Sequence, residues 1–387
     1  LGCRDRTNID FMKFTPLENI TVVSIEQAVS APFASCRLAD AGARVIKIER
    51  EGTGDFARQY DEVVKGQSTY FTWLNRGKES VTVDIKSDEG RRLFLALIAK
   101  ADVFIQNLAP GALKRLNLHS EKLREEYPGL ITCDISGYGE EGEYAKMKAY
   151  DNLVQAETGL IDVTGDGETR AKTGISIADI STGFHAYSAI LEAIIHKEKT
   201  GKGTGIKLSM FDSMADWMMV PWLHQKYGGK APARTGVHHA AIAPYGPFKT
   251  ESGREVMIGI QNEREWVRFC NDVMEGEINP EDERFKRNSL RVANREELNR
   301  QIQRKFSELS YNDVLRRLNE QKIAYANLNS MAEFVDHPQL RLTEVETEVG
   351  DVEMADRPAI FAGYETPFGP IPALGEHNEK IKKELGL

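Results

Sequence analysis

The sequence predicts an α/β fold, a doubly wound parallel sheet joined to a smaller α+β domain. Two observations carry that reading. Between residues 20 and 136, apolar β-type runs alternate with amphipathic stretches, the pattern of repeated β-α-β units. Beyond residue 221 the alternation gives way to isolated strand-like runs among longer helical patterns.

In chain order, ITVVSIEQ (20–27) reads as a buried strand, PFASCRLADAG (32–42) as a short helix stopped at Gly42, and RVIKIER (44–50) as a second strand. SVTVDI (80–85) is a further strand. SDEGRRLFLALIAKA (87–101) reads as a helix capped by Ser87 or Asp88, with acidic residues in the first turn where the helix dipole favours them. DVFIQN (102–107) and LITCDIS (130–136) follow as strands. Ile180, Phe184, Tyr187, Leu191 and Ile194 mark a long helix that begins directly after Asp179, and Asp is among the best N-cap residues. KTGKGTGIKLSM (199–210) is a Gly-rich turn leading into a strand. FDSMADWMMVPWLHQ (211–225) is helical until Pro221 breaks or kinks it. EVMIGI (255–260) is a strand, helical patterns cover about 262–275 and 295–319, and IAYANLNS (323–330) resumes β-like character. The expected large domain spans 12–221, the small domain 222–325, and 326–387 return to the large domain. Met12 opens MKFTPLENITVVSIEQ, which reads as a natural start, so residues 1–11 are read as upstream sequence.

The 387 residues are 41% hydrophobic, enough for a sizeable core. A net charge of −9 speaks against a nucleic-acid partner, which needs clustered cations, but leaves room for one phosphorylated ligand held locally. Cys3, Cys36, Cys133 and Cys270 form no CxxC pair, so neither a zinc site nor a disulfide framework is expected, and a reducing, cytoplasmic setting fits. No apolar run approaches the ~20 residues of a spanning helix, and LGCRDRTNID lacks the apolar stretch of a signal peptide.

The GKGTG stretch lacks the spacing and final Lys-Ser/Thr of a phosphate loop and precedes a strand, so it reads as a tight turn. Open α/β sheets gather ligands beyond the carboxyl ends of their strands. Arg50 and Asn107 stand at two such ends, and Arg115 lies a turn into the next helix; two cations near one edge suit a phosphate. His238 and His239 lack the ligand spacing of a metal site, so none is expected. With Arg234 nearby they suit contact with an acidic substrate.

The chain resembles the class III CoA-transferases, the family of formyl-CoA transferase, the carnitine CoA-transferases and 2-methylacyl-CoA racemase. The likeness runs from about Leu17 to the C-terminus. It rests on PLENITVVSIEQAVSAPFAS, ADAGARVIKIEREGTGD, NRGKESVTVDIKSDEG, ADVFIQNLAPGALKRL, YDNLVQAETGL, ISIADISTGFHAYSAILEAI, KTGKGTGIKLSMFDSM and PALGEHNE, in that order. The resemblance implies that Asp179 is a nucleophile, forming an acyl-enzyme anhydride and then an aspartyl-CoA thioester. It implies CoA binding by Gln27, Ala28, Val29 and Ser30, with Arg50, Asn107, Arg115 and Lys148 matching contacts to the nucleotide and phosphates. Coenzyme A thioester is then a substrate, and no tightly bound cofactor is expected. The implied assembly is an interlocked homodimer of ring-shaped subunits, each with a Rossmann-like large domain and a small domain. One departure is RTGVHHAAIAPYGPF (234–248), which stands where formyl-CoA transferase carries a mobile glycine run.

A covalent route divides a difficult exchange into easier steps, and a thioester is already an activated acyl donor. The N–H groups at the helix start after Asp179 are expected to steady the developing oxyanion, making Asp179 a reagent placed where a cap would sit. The racemase branch pairs the Asp with a His at the start of YDNLVQ. Here that position is Tyr150, whose ordinary pKa of about 10 makes it a poor base, which favours transfer over isomerisation. Tyr150, Arg234, His238 and His239 are the expected substrate residues, and their cations suit a C4 or C5 dicarboxylate. HHAAIAPYG resembles the corresponding block of mesaconyl-CoA C1–C4 transferases. Intermolecular transfer from succinyl-CoA to malate, itaconate or mesaconate is the alternative.

Overall fold

The computed structural model describes residues 12–387, so Cys3 and the rest of the 1–11 segment lie outside the described residues. The chain divides into two units. The first comprises residues up to Thr158, Gly174–Met218 and Arg341–Leu387; the second comprises Gly159–Thr173 and Met219–Leu340.

The first unit is built on six strands: β1 (Thr21–Ile25), β2 (Arg44–Glu49), β3 (Lys78–Thr82), β4 (Val103–Gln106), β5 (Ile131–Ser136) and β6 (Gly205–Ser209). They lie parallel in the order β3-β2-β1-β4-β5-β6. The order reverses between β1 and β4, which makes their carboxyl ends the natural ligand crevice. Its helices include α1 (Ser30–Asp40), α2 (Asp88–Ile98), α3 (Asp151–Glu157), α4 (Ile177–Thr200) and α5 (Met210–Trp217). Alternate strand residues bury on opposite faces. Val22, Val45, Val103 and Ile131 pack with Ala31, Leu38, Ala186 and Ile190 from α1 and α4. Val23, Ile46, Val81 and Phe104 pack with Leu93, Phe94 and Leu97 from α2. Two-sided burial explains why these strands carry apolar residues at adjacent positions and not only at alternate ones.

Helices α1 and α4 cross closely at Gly183. A Cβ there would lie 2.7 Å from the Cβ of Phe33 and 2.7 Å from the carbonyl oxygen of Ser30. The absence of a side chain lets the first turn of α1 reach the first turns of α4.

The free edge of β3 is covered by the GEHN stretch of the C-terminal segment. Ser80 N–H donates to His377 Nδ1 (3.3 Å), His377 N–H donates to Ser80 O (3.0 Å), and Thr82 N–H donates to Asn378 Oδ1 (2.8 Å). These bonds satisfy backbone groups that an open edge strand would leave unpaired.

Beneath the loop after β1 the interior is ionic. The side chains of Lys47 and Lys78 have no solvent exposure; Lys47 Nζ lies 2.7 Å from Asp55 Oδ2, and Lys78 Nζ 2.7 Å from Glu26 Oε1. Burial pushes Lys47 down, but Asp55, Glu26 and Glu49 outweigh it and hold it above the ordinary lysine range. Burial likewise pushes Glu49 up, yet its bonds to Arg58 and the charges of Lys47 and Arg58 hold it at about 2.

In the second unit α6 (Met219–Gly228) precedes a three-stranded antiparallel sheet of β7 (Tyr245–Lys249), β8 (Glu255–Gly259) and β9 (Ala324–Asn327), with β8 central. Two helices, α7 (Arg295–Ser307) and α8 (Tyr311–Glu320), contribute Leu298, Ile302, Phe306, Val314 and Leu318 to a core with Val256, Ile258 and Trp266. The 295–319 helical pattern is thus two helices, divided where Ser310 caps α8 by accepting from Asp313 N–H. Pro221 does not end a helix. The break falls at Met218, and Pro221 lies in the first turn of α6, where its missing N–H costs no helical bond. The second unit takes in Gly159–Thr173 and continues to Leu340, beyond the 222–325 span expected, because β9 pairs with β8 rather than returning to the large sheet.

Candidate active site

At the reversal point, Asn107 beyond β4 joins the loop beyond β1. Its Oδ1 accepts from Gln27 N–H (2.9 Å), and its Nδ2 donates to Gln27 O (2.8 Å). Its Nδ2 also lies 3.5 Å from Ser30 Oγ. The next residue, Ala28, has φ of 63°, a left-handed conformation that a non-glycine residue adopts only when held there. Asp55 holds it: Asp55 Oδ1 accepts from Ala28 N–H (3.0 Å) while Lys47 fixes the other carboxylate oxygen. Val29 and Ser30, both buried, then lead into α1.

Asp179 meets this loop. Its half-buried carboxyl lies by the first residue of α1, where the hydroxyl and backbone N–H of Ser30 favour the charged form. Burial, and next the charge of Asp151, raise the Asp179 pKa from 3.8 to about 7 against the opposing pull of those Ser30 bonds. The carboxyl is therefore at the N-terminus of α1, where helix N–H groups favour negative charge.

The cap expectation is corrected. Helix α4 starts at Ile177 with Ser176 at the N-cap position, so Asp179 lies inside the first turn. The capping carboxylate comes from α3 instead. Asp151 Oδ1 accepts from Ala178 N–H (2.7 Å) and Asp179 N–H (3.3 Å). The N–H groups expected to face the reaction, those after Asp179, are committed within α4, beginning with Ile180 N–H to Ser176 O (3.0 Å), while those of Ala178 and Asp179 bond Asp151. Nothing local in ISIAD signals a cap supplied from another helix; an Asp at the start of YDNLVQ was visible but carried no sign of its target.

The other expected ligand residues spread from this point. Arg50 and Gln27 line a cleft of ≈190 Å³ with Thr53, Gly54, Phe56 and Gln59. Arg115 and Lys148 are exposed. Tyr150, at the N-cap position of α3, is 64% exposed. Tyr60, which the sequence reading did not single out, faces the centre electrostatically. Its hydroxyl is raised to about 12 by burial and then by the charges of Asp55 and Asp179.

Arg234, His238 and His239 belong to the second unit. The Arg234 guanidinium is engaged there: Nε donates to Gly167 O (2.7 Å), and Nη1 bonds to the Asp162 backbone oxygen. His239 stacks on Tyr245, with ring centroids 5.3 Å apart. Burial, then the charge of Arg295, lowers the His238 pKa. Among the described residues no group of three or more His, Cys, Asp or Glu side chains could hold a metal ion, and no helix is long and apolar enough to cross a membrane.

The sequence profile of CoA-transferase family III matches residues 17–378. The chain belongs to CoA-transferase family III. Among characterised family III proteins, human succinyl-CoA:glutarate CoA-transferase is 31% identical over 98% of this chain and 88% of its own. Acetyl-CoA:oxalate CoA-transferase of Acetobacter aceti is 32% identical over 96% of both chains. Succinyl-CoA:mesaconate CoA-transferase of Haloarcula hispanica is 29% identical over 96% of both. The crystal structure of a CAIB/BAIF family protein from Brucella suis superposes with a TM-score of 0.83 at 32% identity, covering 96% of this chain and 100% of the other. The six-stranded parallel sheet and its accompanying smaller unit are thus a family III architecture, and the chain is a CoA-transferase.

Proposed function

We propose that this family III chain moves CoA from an acyl-CoA thioester to a small dicarboxylic acid, with Asp179 as the covalent nucleophile. The observation that carries the reading is the Asp179 carboxyl set beside the hydroxyl and N–H of Ser30, at the loop that leaves the reversal point of the sheet, with its own backbone N–H bonded to Asp151. An Asp179 oxygen attacks the thioester carbonyl carbon, the C–S bond breaks, and CoA leaves as thiolate. The thiolate then attacks the aspartyl carbonyl of the anhydride, releasing the donor acid and leaving an aspartyl-CoA thioester. The acceptor carboxylate attacks that thioester to form a second anhydride, and returning CoA thiolate takes the new acyl group. Every step exchanges one leaving group for one nucleophile, and Asp179 ends as it began. Ser30 is suited to steady the oxyanion that forms on the aspartyl carbonyl.

The dicarboxylate reading is supported by the names of the similar transferases, which act on glutarate, oxalate and mesaconate. Those names describe exchange between two molecules, which favours intermolecular transfer over the C1–C4 shift within mesaconyl-CoA. CoA itself would enter along Gln27–Ser30 with its phosphates toward Arg50 and Arg115. The exposed Val220, Trp222, Leu223 and Tyr227 on α6, a helix with no buried residue, support a homodimer that covers them.

The test is a panel of succinyl-, glutaryl-, oxalyl- and mesaconyl-CoA, each with and without free acids, read by mass spectrometry. Dicarboxylate-dependent exchange and an acyl or CoA adduct on the Asp179 peptide are expected. Asp179→Asn should reduce exchange to background while the protein folds; normal turnover of that variant would falsify the covalent role. Arg50→Ala should weaken CoA binding roughly tenfold to a hundredfold, the range for a charge-assisted phosphate bond, with Arg300→Ala as the exposed control.

A further inference from the structure

Asp151 is placed to do more than begin a helix. Its Oδ1 takes two of the otherwise unpaired N–H groups of α4, those of Ala178 and Asp179 (2.7 and 3.3 Å). Its Oδ2 accepts from Gln155 Nε2 at 2.6 Å, which fixes the carboxylate from its own helix. The backbone of Asp179 is thus bonded to a carboxylate, while its side chain lies beside Ser30 of α1. The Asp151 carboxylate reaches Asp179 from a different helix, and neither residue has a cation among these partners.

We propose that Asp151 is a positioning residue for the transfer reaction: it fixes the first turn of α4 and holds a second negative charge against Asp179 that is relieved when Asp179 becomes acylated. The proposal rests on the covalent reading above. When Asp179 attacks, its oxygen bonds to the acyl carbon, the C–S bond breaks, and the negative charge departs on the CoA thiolate. Like charges at close range disfavour the doubly ionised resting state, so acylation removes a repulsion that Asp151 maintains. A more basic carboxylate is also the better nucleophile.

The groups facing Asp179 are few. Asp151 of α3 and Ser30 of α1 act on Asp179, and the Tyr60 phenol, in the segment after β2, feels its charge. The phenol, pushed up to about 12, keeps its proton throughout the working range. Farther along α4, His185 pairs with Asp216 of α5 at 3.3 Å. Because Asp179 attacks as carboxylate, the rate of acylation should rise with pH through about 7 in the unaltered protein.

The experiment is the pH profile of kcat/KM and of single-turnover adduct formation, with succinyl-CoA and glutarate, in the full chain and in Asp151→Asn and Asp151→Ser. Both substitutions keep an oxygen able to accept the α4 N–H groups and remove the charge. The acid limb should move down by about one pH unit but remain above that of an ordinary aspartate, since burial persists. The plateau of adduct formation should fall several-fold. A His185→Gln control should leave the acid limb in place. An unshifted limb in folded Asp151 variants overturns the inference, as does a shift of equal size in the His185 control. If Asp179→Asn retains turnover, the covalent reading and this inference fail together. If Asp179→Asn is inactive and the Asp151 limb is unmoved, this inference alone fails. Should both Asp151 variants fail to fold, Gln155→Leu, which removes the bond holding the Asp151 carboxylate to its own helix, is put through the same pH profile: a moved acid limb supports the pair, and an unmoved limb overturns it.

Discussion

At the scale of single residues, a reactive Asp179 is stored at a cost. Its carboxyl releases a proton near pH 3.8 when free and near 7 in the folded chain. Between those values the native state holds a proton that the unfolded chain has lost, so rising pH destabilises the fold through that window. The penalty is complete above pH 7, at about 4 kcal/mol by the size of the shift. Below pH 3.8 both states are protonated and the contribution disappears. Asp179→Asn should therefore show a higher urea midpoint than the parent protein at pH 8 and nearly the same midpoint at pH 4. Equal midpoints at both values would mean that Asp179 is not held in a raised state. The sequence made Asp179 conspicuous but misplaced it by a few residues, because its helix starts earlier than local cap preference suggests. What sets its chemistry, Ser30 from one helix and Asp151 from another, is separated from it in sequence and becomes visible only once the helices meet. Arg234 is a separate case: its place near His238 and His239 suggested a substrate anion, and its guanidinium bonds to backbone oxygens of its own unit.

At the scale of elements, the crossing of α1 and α4 decides whether Ser30 reaches Asp179. Gly183→Ala would ordinarily favour a helix by about 1 kcal/mol. Here the added methyl meets Phe33 Cβ and Ser30 O at 2.7 Å. The helices must separate, with an overpacking cost of about 1–3 kcal/mol. Gly183→Ala should lower thermal stability despite its better propensity. It should also slow adduct formation at Asp179 more than it weakens CoA binding. A stabilised, fully active variant would show that the crossing has slack. The strands were legible because two-sided burial leaves short runs that are mostly apolar, as in TVVSI and VFIQ. The helix pattern at 295–319 hid its break because the period continues across Ser310, and only the Ser310 cap marks the division. The Lys47, Asp55, Glu26 and Lys78 cluster was not legible at all. Charged residues in a strand read as solvent-facing until the buried partners from other segments are known.

At the scale of the whole molecule, the α6 surface yields the test of assembly. If Trp222 and Tyr227 are covered by a second copy, sedimentation should give about twice the 43.4 kDa chain mass, and Trp222→Glu with Tyr227→Glu should shift it toward one chain. A monomeric parent protein would remove the homodimer from the reading. The covering of β3 by His377 and Asn378 has a consequence for synthesis. Strand β3 is complete early on the ribosome, yet the residues that close its edge are made almost three hundred positions later, Ser80 and His377 being 297 apart. Throughout that interval the nascent sheet carries a bare row of donors and acceptors, the feature through which chains pair with the wrong neighbour. Premature termination before Gly375 should then yield a chain in which the reactive centre is encoded in full but the product is handed to chaperones or lost to aggregates.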